Sequence, residues 1–461
     1  MAKPDGPVVL LISYHFYPSD EIGGKRTTAL ARFLASKGLR VIVVSTFGGA
    51  TMVTAGSEVM TGVIAAPVKQ PRKVLIDFVV SRKQRAAQTR SGAAVGGTVR
   101  DARTTSVLLR MRSGMRRIFF QIVYFVDQYK HWGWRAAREA IRVGKQFDAR
   151  LVLSSSPPFT TLLTGRWVAS RLGIPHIADL RDPWTDAIAA ARPSQRVELR
   201  LLRFLEGWAL RSAAAITSTT SIVAELLAAR YPPVRHKLHV VRNGYEGEVP
   251  TANPDTGGRL AILFAGELYL GRNPFPFLAA LDALLARSDV DPTRISATFM
   301  GKVAHYNGQS LASWIEAKRC ATVVKILPQS PQHEVTKAVA ESTLLLNLSQ
   351  EQPLSIPAKT FEHFACAREI LLLCENDSET ASLVAGMPGV HQVDQRDVQA
   401  LEKVLLDIYR RHVVQCRMTV PTKNDILKFS RAAANERFWK VITSVGDMHD
   451  HRQESNDASQ T

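Results

Sequence analysis

The sequence predicts an α/β protein made of two Rossmann-like domains. Short apolar runs alternate with amphipathic segments of helical period, the rhythm of strands and crossover helices in a parallel sheet. The alternation runs twice, on either side of a Pro/Gly/Thr/Asn-rich stretch from Glu248 to Gly258. The chain's 461 residues also exceed what one ordinary core organises. The expected domains are therefore 1–250 and 258–425, followed by a terminal helix over 426–445 and a polar, disordered tail over 446–461.

In the first series, Val8 to Ser13 has a buried-strand pattern. Tyr14 to Gly24 reads as a loop with Pro18 and Gly23-Gly24, Arg26 to Lys37 as a helix stopped by Gly38, and Val41 to Ser45 as a strand. Glycines at a loop-to-helix junction let backbone approach a phosphate closely, or simply turn the chain. Leu151 to Ser154 is a strand leading to Ser155-Ser156-Pro157-Pro158, and Thr160 to Leu172 is a helix closed by Gly173-Ile174-Pro175. The strand from His176 runs out into Asp179-Leu180-Arg181-Asp182-Pro183-Trp184. Polar residues beyond the carboxyl ends of parallel strands are where open α/β sheets bind ligands. Glu198 to Arg211 is helical, Ala214 to Ser218 a strand, Ser221 to Ala229 a helix, and Leu238 to Val241 a strand ending in Arg242-Asn243-Gly244-Tyr245-Glu246.

Residues 69–145 interrupt the rhythm. They hold 18 Lys and Arg against 4 Asp and Glu, so 14 of the chain's +18 net charge sits there, and the partner it implies is local to it. Gln84 to Thr105 is polar and rich in small residues, as a mobile loop is. Leu108, Met111, Met115, Ile118, Phe119, Ile122 and Val126 then recur at helical spacing, flanked by Arg110, Arg112, Arg116 and Arg117 and followed by Tyr124, Phe125, Tyr129, Trp132 and Trp134. This pattern describes either a helix lying in an anionic membrane surface or one packed on its own domain with a solvated Arg-rich face. No nucleic-acid motif accompanies it, so no nucleic-acid partner is expected.

The second series begins with a strand at Leu260 to Phe264, a loop from Gly266 to Pro274 containing Arg272, and a helix from Phe277 to Ala286. Ser296 to Met300 and Val323 to Leu327 are strands, and Gln332 to Glu341 is a helix. The strand Leu344 to Leu348 leads to Ile356-Pro357-Ala358-Lys359-Thr360-Phe361-Glu362-His363-Phe364, and Ile370 to Leu373 follows as a strand. Pro357 starts a helix whose free N–H groups, with Lys359, suit an anion, while Glu362 can accept hydrogen bonds from sugar hydroxyls. A surface helix with a capping Pro and a solvated Lys/Glu would read the same way. Asp425 to Val445 has a terminal-helix pattern.

No apolar run reaches the roughly 18–20 residues of a membrane span, and Val8 to Ser13 lacks the flanks of a signal peptide. Cys320, Cys366, Cys374 and Cys416 lack metal or redox spacing; Cys366 and Cys374 are expected to be buried thiols, and the cytoplasm is the natural compartment. The Asp289-Val290-Asp291 triplet precedes Pro292 and reads as a turn, not a metal site.

The Tyr17-Pro18…Gly23-Gly24 loop, the Gly173-to-Trp184 stretch, Asn243-Gly244-Tyr245-Glu246 and Ile356-to-Glu362, in this order and spacing, resemble the retaining GT-B glycosyltransferases of family 4, in the branch that builds bacterial surface polysaccharides. The resemblance covers nearly the whole chain outside the basic insertion and the tail. It implies a GT-B fold, a nucleoside-diphosphate sugar held by the C-terminal domain and an acceptor held by the N-terminal one, a polyprenyl-diphosphate-linked lipid or a glycan. It also implies no cofactor and no metal, because the family meets the charge of the leaving diphosphate with cations and helix N-termini. By position, Gly23 and Gly24 approach the donor diphosphate when the cleft closes. Arg272 and Lys359 are the diphosphate candidates, with Glu267 standing at the first position of a basic pair that the family has there and Arg272 supplying the second. Glu362 matches the second Glu of the family's E-x7-E motif, the ribose contact, but Leu354 replaces the first, whose role falls to Lys359 or Glu351 or to a different site. Arg181 stands where the family has a cleft His, so Asp179, Arg181 and Asp182 are either catalytic or an Arg–carboxylate cluster that shapes the loop. The rival expectations are a GT-B UDP-sugar epimerase and a catalytically degenerate scaffold. The implied enzyme is cytoplasmic and peripheral on the membrane through 69–145.

Overall fold

The structure, a computed structural model, describes residues 6–18, 22–46, 58–69, 126–191, 196–250, 255–269 and 271–445. The loop expected over 84–105, the amphipathic stripe from Leu108 as far as Ile122, and the tail over 446–461 lie outside these residues. The chain divides into two compact units, Met1–Ile216 with Ile442–Thr461, and Thr217–Val441, so the division runs through a strand upstream of the Pro/Gly-rich stretch at 248–258.

The first unit runs β1 (Val8–Ser13), α1 (Ile22–Ser36), β2 (Arg40–Ser45), β3 (Glu58–Met60), β4 (Val63–Pro67), α2 (Lys130–Gln146), β5 (Ala149–Ser156), α3 (Thr160–Leu172), β6 (His176–Leu180), α4 (Trp184–Ala191), α5 (Arg196–Ser212) and β7 (Ala215–Ser218). The strands order as β3-β4-β2-β1-β5-β6-β7, and β3 is antiparallel to β4 at the edge. β1 and β6 are buried along their whole length and β5 at every residue but Arg150, as strands covered on both faces by crossover helices must be, and this is why β1 reads as a continuous apolar run. Val8, Leu10, Ile12, Ile42 and Val44 pack with Trp132, Ala136 and Ala140 of α2 and Val168 of α3.

The second unit continues with α6 (Ser221–Arg230) and β8 (Leu238–Val240); Val241 N donates to Ser218 O, placing β8 beside the end of β7. Then come β9 (Leu260–Glu267), α7 (Phe275–Leu285), β10 (Ile295–Lys302), the small hairpin β11 (His305–Tyr306) and β12 (Gln309–Ser310), α8 (Leu311–Glu316), β13 (Val324–Leu327) and α9 (Gln332–Glu341). The series closes with β14 (Leu344–Leu348), α10 (Ala358–Phe364), β15 (Glu369–Leu373), α11 (Glu379–Val384), β16 (Val390–Val393), α12 (Val398–Tyr409), α13 (Lys423–Leu427) and α14 (Arg431–Val445). Its sheet orders β13-β10-β9-β14-β15-β16. Alternate residues of β14 and β15 enter opposite cores: Leu344, Leu346 and Leu371 one, Leu345, Ile370 and Leu372 the other.

Two expectations change. The terminal pattern is two helices, α13 and α14, because Tyr245 inserts between them: its N–H donates to Phe429 O and its carbonyl accepts from Arg431 N. Likewise α1 starts at Ile22, so Gly23 and Gly24 lie within its first turn and not in a loop. Glycine lowers helix propensity, which is why the sequence reads as loop there; packing overrides it.

Candidate functional site

In each unit the strand order reverses direction once, between β1 and β5 in the first and between β9 and β14 in the second. Such a switch point leaves a crevice at the carboxyl ends of the two strands, where open α/β sheets bind ligands. The site residues expected from the sequence lie toward the carboxyl end of their unit's sheet: Asp179 at the end of β6, Arg181, Asp182 and Arg272 on the loops that follow strands, Gly23 and Gly24 in the first turn of α1, and Lys359 and Glu362 on α10.

In the second unit the loop after β9 lies against the loop after β14. A Cβ on Gly271 would fall 2.4 Å from Glu351 Cβ and 2.7 Å from Gln350 O, so only glycine permits this approach. Gln350, buried, donates from Nε2 to Asn273 O at 2.8 Å and locks the two loops together. Arg272, half-buried on the first loop, sits 4.4 Å over the Tyr269 ring, and its Nη1 donates to Glu267 O. Glu267 itself lies 3.5 Å from Lys302 Nζ, so a lysine from the end of β10 brings a cation to the place where Glu267 had stood for one.

Helix α10 is anchored by its buried face. Phe361 and Phe364 enter the core, and Asn347 on β14 donates to Thr360 Oγ1 at 3.1 Å. His363 is buried too; burial, with the nearby Lys359 charge, pulls its pKa down to about 3, so it is neutral at physiological pH. The same burial turns Lys359 and Glu362 outward, where they form an i,i+3 ion pair at 3.1 Å with side chains 43% and 55% exposed. An exposed pair of this kind is worth about 0–1 kcal/mol, so it separates readily for a ligand. At seven residues α10 is too short for its dipole to supply much, and the Lys359 side chain is the positive group on its exposed face. Leu354 contributes its backbone: its carbonyl accepts from Thr220 Oγ1.

In the first unit Asp179, at the end of β6, accepts from Ser155 Oγ at 2.7 Å and Arg26 Nη2 at 3.1 Å. Arg181 donates from Nε to Ser156 O at 2.8 Å and from Nη2 to Pro157 O at 2.6 Å, which fixes the guanidinium. It lies against Gly23: a Cβ there would come within 2.1 Å of Arg181 Nη1. The structure thus brings Gly23, Arg26, Asp179 and Arg181 into one cluster. Asp182 is exposed at its rim yet closely surrounded by protein atoms; this desolvation raises its pKa, Arg181 opposes the rise and Asp179 adds to it.

Arg26 and Lys302 are the members that sequence reasoning passed over. The signal for Arg26 was its place three residues after Gly23; Lys302 had none beyond ending a strand. The Asp289/Asp291 turn is internally satisfied, with Asp289 bonded to Arg287 and Arg410 and Asp291 capping a 3-10 turn through Thr293 N. Among the described residues no helix is long and apolar enough to cross a membrane. Cys374 is buried but Cys366 only half-buried, because it follows α10 at its exposed end; burial pushes both thiols up to about 11.

Residues 101–248 match the family described as Glycosyltransferase Family 4. A 2-deoxystreptamine glucosyltransferase from Streptomyces kanamyceticus is 23% identical over 239 residues, a match covering 50% of this chain and 56% of that protein. Among solved structures, a sucrose-phosphate synthase from Thermosynechococcus elongatus superposes with a TM-score of 0.58 at 10% identity, covering 95% of this chain and 98% of that one. Anabaena HepE in complex with UDP and glucose gives 0.55 at 11% identity, over 95% and 99%. A UDP-forming trehalose-phosphate synthase from Burkholderia vietnamiensis gives 0.56 at 11%, over 95% and 100%. The fold is that of the GT-B glycosyltransferases, extending over nearly the whole chain.

Proposed function

We propose that this chain is a glycosyltransferase that moves a sugar from a nucleoside-diphosphate sugar to a lipid-linked or polysaccharide acceptor, with retention of configuration, in cell-surface polysaccharide synthesis. The observation that carries the reading is that Arg272, Lys302 and Lys359 follow or end the adjacent strands β9, β10 and β14 on their carboxyl side, across the second unit's switch point. When the bond from the anomeric carbon to the diphosphate oxygen breaks, the leaving group keeps the electron pair, and cations held there offset its charge without a metal. Glu362, freed from Lys359, would accept hydrogen bonds from the ribose hydroxyls. On the acceptor side, Arg181 and Asp182 face the ligand while Asp179 fixes the loop that carries them.

Several findings support this reading. The matched family and the Streptomyces kanamyceticus relative are glycosyltransferases, and the Anabaena structure holds UDP and glucose. The location follows the basic segment 69–145, which would hold the enzyme peripherally on the anionic cytoplasmic face, at about 1 kcal/mol per basic residue near the surface.

Thermal shift and calorimetry with UDP, GDP, dTDP and ADP test the reading. One nucleotide at a hundredfold excess over its Kd should stabilise the protein by about 2.7 kcal/mol. Silence from all four would favour a degenerate scaffold, and conversion of a UDP-sugar without any acceptor would favour an epimerase.

A further inference from the structure

Helix α5 presents an apolar stripe to solvent on the first unit. Val197, Leu201, Phe204 and Trp208 are 81%, 47%, 60% and 39% exposed, and their spacing of four, three and four residues puts them on one face. The opposite face, with Leu202, Ala209 and Leu210, is fully buried, so the helix is anchored and the stripe is left over after folding. Arg200 and Arg211 are exposed along one edge of the stripe, and Arg166 of α3 stacks 3.7 Å from the Trp208 ring centroid. The helix's two acids lie off that face: Glu206 is fully buried against Thr185, and Glu198 is half-buried on the flank away from Arg200 and Arg211.

We propose that this face of α5 rests on an anionic lipid surface. An apolar row containing Phe and Trp, bordered by arginines whose stems reach outward, is the composition of a helix lying in a headgroup layer. The charge decides the occupant. Arg200 and Arg211 would find phosphate groups beside the stripe on a membrane, whereas an isologous contact with a second copy would crowd two such arginine rows together. The inference rests neither on the sugar-transfer reading nor on residues 69–145.

The test is sedimentation of the full chain with phosphatidylcholine vesicles, with and without phosphatidylglycerol. Binding should need the anionic lipid and weaken with salt, and Leu201→Glu with Phe204→Glu should reduce affinity about tenfold or more. Arg200→Gln with Arg211→Gln should lower the salt sensitivity while the protein stays folded. Both pairs are exposed, so unchanged melting without lipid is expected and checks the fold. The proposal is overturned if the Glu pair binds vesicles as wild type does. That outcome together with loss of binding on replacing Arg110, Arg112, Arg116 and Arg117 by Gln would move the contact to the basic segment. Wild-type binding by the Glu pair, with a wild-type dimer that the pair dissociates, would assign the face to self-association. Wild-type binding with a lowered melting point would show that the chain itself covers it.

Discussion

The guanidinium of Arg26 meets the carboxylate of Asp179 at 3.1 Å, with side chains 7% and 1% exposed. One comes from the first turns of α1 and the other from the end of β6, so the ion pair fastens the helix to the sheet edge beside Arg181. Burying two charges is favourable only when each is matched, and Ser155 completes the match on Asp179.

Asp179→Asn removes the buried carboxylate that Arg26 meets and is expected to cost about 3–5 kcal/mol in urea unfolding. The double variant Arg26→Met/Asp179→Leu should recover much of that loss, because neither charge is then buried. Equal destabilisation of single and double variants would show that the charge is not the cause.

Gly23→Ala separates stability from function. Alanine favours a helix over glycine by about 1 kcal/mol, but its Cβ would fall 2.1 Å from Arg181 Nη1. Melting should change little while Arg181 is displaced, with kcat/KM for sugar transfer falling about tenfold, roughly 1.4 kcal/mol of transition-state stabilisation. An unaltered kcat/KM would remove Arg181 from the reaction.

Lys359→Ala and Glu362→Ala break an exposed ion pair, so each should shift stability by less than about 1 kcal/mol. Calorimetry should nevertheless show nucleoside-diphosphate affinity falling about tenfold for Lys359→Ala, through loss of a charge-assisted contact. Unchanged affinity would place the diphosphate elsewhere.

Glu369 is a buried carboxylate at the opposite, amino-terminal end of β15, bonded to His412 at 2.7 Å, Arg411 at 2.6 Å and Thr419 N at 3.0 Å, with His391 alongside. Burial acts to raise its pKa, but the hydrogen bonds from His391 and His412 outweigh it and hold the group below the ordinary glutamate range. A depressed folded pKa contributes stability above the unfolded value, near pH 4.3, and loses it as pH falls toward the folded value. Glu369→Gln should therefore destabilise the protein at neutral pH by about 3–5 kcal/mol, and the gap to wild type should begin to narrow below about pH 4 and go on narrowing toward the folded value. A gap that does not narrow there would assign the loss to packing.

Much of the second site was legible because apolar periodicity and turn residues are local signals. Gln332 to Glu341 and Leu344 to Leu348 carry the predicted bounds, and Pro357 marks the start of α10. Lys359 and Glu362, three apart on one helix, could be placed together by spacing alone. Gly23 and Gly24 misled because their propensity is local, while the reason for Gly23, the Arg181 guanidinium, comes from beyond β6. The apolar stripe of α5 was also hidden: a helical period reports that a helix has an apolar side, not how many sides find a partner.

By itself the sequence determined the two α/β series, most element positions and the two loop regions that carry the candidate residues, since all of these follow from hydrophobic period and turn chemistry within short windows. Tertiary structure alone decided which charges meet. Arg26 with Asp179, Lys302 with Glu267 and Glu369 with His412 are separated by 153, 35 and 43 positions, and are joined only by the fold: a helix's first turns against a strand end, two adjacent parallel strand ends, and a strand start against the helical turn after α12. A charge's partner depends on distance in space and on exclusion of water, and neither is written in the order of the residues.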